Sequence, residues 1–138
     1  MANPYQLEKF VLAQRKVWPR VVAELTAGQK RSHWMWFVFP QIAGLGLSVT
    51  SQIYAIPHIR AARAYLKHAV LGSRLEDTTR LVLGHNDMSA EAIFGGIDAM
   101  KFRSSMTLFE AADGPPVLGE ALDTFFGSER DEETLKRL

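Results

Sequence analysis

Helical periodicity recurs along most of this 138-residue chain, and proline or glycine keeps cutting it into short segments. Sustained period-two alternation and Asn-Gly or Asp-Gly hairpin turns are absent. Side chains three or four positions apart share one face of a helix but not of a strand, so the pattern predicts an all-α fold. Asn3 and Pro4 suit the cap and first turn of a helix carrying Leu7, Phe10, Val11 and Gln14. Pro19 suits the start of a second helix, striped by Trp18, Val21, Val22 and Leu25 and stopped at Gly28. Further starts and stops fall at Ser48 and Pro57, Ile59 and Leu66, Leu71 and Gly84, and Ser89 and Gly95. A long helix is expected from about Ile97 to Ala112, followed by segments over Val117 to Phe126 and Asp131 to Leu138. The expectation is one compact domain over residues 1–138 with about six to eight helices.

An apolar share of 47% supplies a core of the size such a domain needs. The chain has no cysteine, which removes disulfides, thiolate nucleophiles and Cys-bound metals and fits a reducing, cytoplasmic setting. No segment reads as a signal peptide or membrane span, so no membrane association is expected. The net charge of +1 argues against a nucleic-acid partner. Basic residues gather early and Glu129, Asp131, Glu132 and Glu133 form an acidic tail; both read as solvated faces.

Arg31-Ser32-His33-Trp34-Met35-Trp36-Phe37-Val38-Phe39-Pro40-Gln41 places aromatic rings beside polar groups. So apolar a run is costly to leave in water, and its polar members need partners once buried, so it reads as core or as the wall of a pocket. Together with Gly44-Leu45-Gly46, Tyr65-Leu66, Val70 through Leu75, and Ile93-Phe94-Gly95 through Phe109, it resembles domain of unknown function 1810. That is an uncharacterised bacterial family whose members often carry the label calpastatin. The resemblance covers nearly the whole chain; Ala69 stands where the family is expected to favour proline. It implies a compact helical fold and no established activity. The calpastatin label does not fit, because inhibitors of that type are disordered and this composition is that of a packed globule.

Candidate site residues come from three places. His33 could serve as an acid or base, or satisfy the backbone inside an aromatic core; Trp36 and Gln41 could line a pocket, the indole stacking on a planar ring. The Gly44 and Gly46 turn could expose N–H groups to an anion or simply turn the chain. It is not a dinucleotide fingerprint, since Val49 stands where a third glycine belongs. On the long helix Asp98, Lys101 and Ser105 fall on one stripe beside Ser104, with Arg103, Thr107 and Glu110 on the solvent-leaning side. Lys101 could hold an anion or activate Ser105; the alternative is a plain Asp98–Lys101 pair with hydroxyls returned to helix carbonyls. His58, His68 and His85 have no metal-ligand spacing, and no metal or cofactor is expected. The functional expectation is a monomeric, cytoplasmic protein binding an anionic, nucleotide-like small molecule, with or without chemistry, between the aromatic segment and the Lys101 helix. The competing expectation is a protein-interaction module without catalysis.

Overall fold

The structure is a computed structural model that describes residues 5–138. Nine helices occur among the described residues: α1 (Glu8–Ala27), α2 (Met35–Val38), α3 (Val49–Ile53), α4 (Ile59–Lys67), α5 (Leu71–Leu83), α6 (Ala90–Phe94), α7 (Gly96–Ala111), α8 (Pro116–Phe126) and α9 (Glu132–Leu135). The all-α expectation holds, with one helix more than the upper expectation. The proposed cap at Asn3 and Pro4 lies outside the described residues.

The two helices expected on either side of Pro19 are one. Proline removes the N–H that would bond the Arg15 carbonyl, but Arg15 and Pro19 are both exposed, so water can satisfy that oxygen. Meanwhile Phe10, Gln14, Val21 and Leu25 stay in phase on the buried side. Helix α1 ends at Gly28, which takes the left-handed conformation glycine adopts without penalty (φ 74°); Gln29 N–H returns to the Glu24 carbonyl at 3.0 Å.

Helix α7 is the hub of the domain, packed by α4, α6, α8 and α9. Its sequence therefore lacks a single apolar stripe: Ala99, Phe102, Met106, Leu108 and Phe109 are buried around much of its circumference. Phe102 gathers the aromatic core, with ring centroids 4.8 Å from Phe94 and 5.0 Å from Phe39. The solvent-leaning side expected for α7 is in fact covered. Buried Thr107 accepts from Asp131 N–H at 3.0 Å, Arg103 donates to the carbonyls of Glu129 and Arg130, and Arg130 pairs with Glu110 at 2.6 Å. The acidic C-terminal segment is thus bound along α7 rather than merely solvated.

A short parallel bridge between Ile42 and Ile56 closes the loop carrying α3: Ala43 N–H bonds the Ile56 carbonyl and Ile56 N–H the Gln41 carbonyl, both at 2.8 Å. This clasp holds the Gln41–Gly46 turn beside α7, and that juxtaposition forms the cleft described next. No helix among the described residues is long and apolar enough to cross a membrane.

Candidate functional site

The aromatic run divides its two tryptophans between different tasks. Trp34 is fully buried, and its indole N–H donates to Glu24 at 3.0 Å. The same carboxylate accepts from Arg31 N–H at 2.7 Å, from Ser32 N–H at 3.0 Å and from the Ser32 hydroxyl. Burial would raise the Glu24 pKa, but the hydrogen bonds from Ser32, the Arg31 backbone and Trp34 outweigh it and lower the value from 4.5 to about 2. Glu24 therefore pins the loop that delivers Trp36, two residues on, to the surface of α7.

Trp36 is half-buried and forms one wall of a cleft of about 280 Å³. Gln41, Leu45 and Gly46 from the clasped turn line it, facing Ile97, Met100, Lys101 and Ser104 of α7, with Asp131 and Glu133 from the C-terminal segment at one end. Ile97 and Met100 are 74% and 69% exposed, unusual for large apolar side chains beside a concavity. A smaller cavity of about 140 Å³ shares Trp36, Gln41 and Gly46 with the cleft and adds Gly44, Ser51, Gln52 and Tyr54.

The charge arrangement under Trp36 is the most unusual feature. Lys101 Nζ lies 3.8 Å from the centroid of the Trp36 ring and 3.2 Å from Asp98 Oδ1. Lys30 Nζ lies 2.8 Å from Asp98 Oδ2 and 5.1 Å from the Trp34 ring. Two lysines thus share one carboxylate, each over an indole, and the three side chains together carry a net charge of +1. The Lys30, Lys101 and Asp98 side chains are only 7%, 19% and 20% exposed, so solvent screens that charge weakly. Burial works against ionisation of Asp98, but hydrogen bonds from Lys30 and then Lys101 hold its pKa below the ordinary carboxylate value.

Elsewhere in the cleft, some polar groups are engaged and others are open. Glu133 is paired with Arg137 and Lys136, both at 3.1 Å, which lowers its pKa. Asp131 caps α9, and its Oδ2 accepts from Thr134 N–H, the Thr134 hydroxyl and the Ser104 hydroxyl. Asp131 Oδ1, the Trp36 indole N–H and the Gln41 side-chain amide have no hydrogen-bond partner among the described residues. All three remain reachable by solvent, because among the described residues the sole unpartnered side-chain polar atom sealed in the interior is Ser105 Oγ.

Five of the eight candidate residues, Trp36, Gln41, Gly46, Lys101 and Ser104, meet in the cleft; three do not. His33 is exposed and lines no cavity, since Glu24 turns the chain so that Trp34 enters the core and the residue before it faces out. Ser105 is fully buried with no hydrogen bond to Lys101, which instead makes the alternative pair with Asp98. Gly44 (φ 98°) belongs to the smaller cavity, covered by Arg137, whose Nε would stand 3.0 Å from a β-carbon there. Trp34 is sealed against a stacking ligand, and Lys101 occupies one face of Trp36. Lys30 and Asp131 were missed. Lys30 counted only among the early basic residues read as a solvated face, and nothing local ties Asp131 to Ser104, 27 positions earlier.

Comparison with known proteins fixes the kinship. The model of a family described as protein of unknown function DUF1810 matches residues 4–138. The chain belongs to this family. Among solved structures, the conserved hypothetical protein Rv1873 from Mycobacterium tuberculosis is similar at 45% sequence identity, with a TM-score of 0.93 over 99% of this chain and 98% of that one. No curated protein matches. The DUF1810 kinship therefore fixes the fold and leaves the activity to be argued from the cleft.

Proposed function

We propose that this protein is a cytoplasmic monomer that binds a small anionic molecule of nucleotide-like size and character in the Trp36–Lys101 cleft. The observation that carries the reading is the pair of lysines sharing Asp98. Two ammonium groups on one carboxylate with little solvent around them are expensive to maintain, and an anion seated at Lys101 would share that charge. The remaining groups suit such a guest. Leu45, Ile97 and Met100 offer apolar walls to a flat ring, and the Gln41 amide and Trp36 N–H offer unengaged polar groups to fix its orientation. A cleft of about 280 Å³ lies at the small end of ligand sites, which favours a mononucleotide over a dinucleotide.

A thermal-shift screen of nucleotides and phosphorylated metabolites tests the reading, since a ligand that binds only the folded state raises stability by mass action. Stabilisation by one of them, lost in Lys101→Met, is the expected result. That variant removes the charge and keeps most of the apolar stem over Trp36. If none stabilises the protein at millimolar concentration, the reading is wrong.

The interaction-module reading draws support from Leu47 and Val49, 90% and 73% exposed beside the cleft turn. The tryptophans do not support it: Trp34 is buried, Trp36 lies under Lys101, and Trp18 lies under Arg74 at 4.6 Å.

A further inference from the structure

The cleft offers a cation and a carboxylate oxygen together, and this narrows the class of ligand. We infer, resting on the ligand reading above, that the cleft selects an anionic molecule whose ring carries a hydrogen-bond donor such as an exocyclic amino group. Lys101 takes the acidic group and Asp131 Oδ1 the ring donor.

The argument begins with the uneven engagement of Asp131. Its three hydrogen bonds all fall on Oδ2, from Thr134 N–H at 3.1 Å, from the Thr134 hydroxyl and from Ser104 at 3.1 Å. Oδ1 has no partner among the described residues and is open to solvent, on a residue that lines both the cleft and the neighbouring groove of Arg103, Ser128 and Arg130. Nor is it neutralised by a neighbouring cation: Arg130 is directed to Glu110 and Asp123, and Arg103 to Glu129. The other rim carboxylate, Glu133, already has Lys136 and Arg137. Asp131 is also held rigidly, because its backbone N–H is tied to Thr107 at 3.0 Å. An ionised carboxylate accepts hydrogen bonds and donates none. A ring presenting a carbonyl to Oδ1 would set acceptor against acceptor, whereas a ring amine would complete it. Rejection of a mispaired polar group is the strong form of discrimination available to a small site.

The test is a matched pair of ligands that differ at this group. Adenosine 5′-monophosphate and purine riboside 5′-monophosphate, which lacks the amino group and has no other donor on its ring, are titrated by calorimetry into the wild-type protein and into Asp131→Asn. The wild type should bind the amino nucleotide about tenfold more tightly or better. Asparagine still caps α9 and can keep its oxygen on Thr134 and Ser104, leaving its amide N–H groups where Oδ1 was. The preference should therefore disappear or invert, which a purely structural role for Asp131 would not produce. Equal affinities in the wild type, or tighter binding of the purine riboside nucleotide, would overturn donor selection while leaving the ligand reading in place. A preference that persists in Asp131→Asn would overturn the assignment to Asp131. Absence of binding by both nucleotides would overturn this inference, and the screen above then decides the ligand reading separately. Should Asp131→Asn fail to fold, the wild-type pair alone still decides whether the cleft selects a donor.

Discussion

Glu24 concentrates enough interaction in one carboxylate for its contribution to be read from the pH dependence of stability. Its pKa falls from an ordinary 4.5 to about 2 in the folded protein because Ser32, the Arg31 backbone and Trp34 donate to it and together outweigh burial. One pKa unit corresponds to about 1.4 kcal/mol, so the linked stability is about 3 kcal/mol. The side chain is buried within a residue only 8% exposed, so little of this is screened away. Because the folded pKa is depressed, the contribution is fully present above pH 4.5 and is lost as the pH falls from 4.5 towards 2. Glu24→Gln should accordingly cost about 2–3 kcal/mol at pH 7, and the gap between variant and wild type should shrink through that acid window. Urea unfolding of both proteins at pH 7, 5, 4 and 3, followed by far-ultraviolet circular dichroism, measures the gap directly. A gap of constant size across the series would show that the ionised carboxylate is not its source.

The other predictions address the core and the cleft. Ser105→Ala should raise stability by about 1 kcal/mol in chemical denaturation, because it removes a fully buried hydroxyl that has no partner. Gly72→Ala should lower stability by about 1–3 kcal/mol, since a β-carbon there would meet the Leu66 carbonyl oxygen at 2.1 Å and force the α4–α5 corner apart. Lys30→Met should weaken binding of an anionic nucleotide by calorimetry, though less than Lys101→Met does, because Lys30 acts through the shared Asp98 and its loss leaves Lys101 paired one to one with that carboxylate. An unchanged affinity would separate the buried lysine from the site.

The parts of this structure legible in the sequence are those decided within a few residues. The stops at Gly28 and Gly95 and the caps at Ser48 and Ser89 follow from local backbone chemistry, and each is where that chemistry puts it, whereas the helix expected from Asp131 to Leu138 is only Glu132–Leu135. Pro19 misled because its cost depends on whether the freed Arg15 carbonyl meets water, which is a property of the packed domain. Thr107 misled for the converse reason: helical geometry placed it correctly on the side opposite Lys101, but the segment covering that side arrives more than twenty residues later. The cleft was partly legible, since Trp36 and Lys101 are conspicuous as an indole in a polar-aromatic run and a cation on an apolar helix. Its charge was not, because that depends on Lys30 reaching Asp98 across 68 positions.

Lys30 also joins the structural half of the aromatic run to the functional half. Its ammonium lies between the Trp34 ring and Asp98, while its backbone N–H bonds the Ile93 carbonyl at 2.8 Å, so both ends of the residue are fixed. Glu24 holds Trp34, Trp34 bounds Lys30, and Lys30 occupies the Asp98 oxygen that Lys101 would otherwise use to complete a bidentate pair. Lys101 is left with one carboxylate oxygen and the face of Trp36. An ammonium group that shares its carboxylate with a second one is the better placed to attract an anion. The aromatic run thus contributes to the cleft from inside the core, through a residue that lines no part of it.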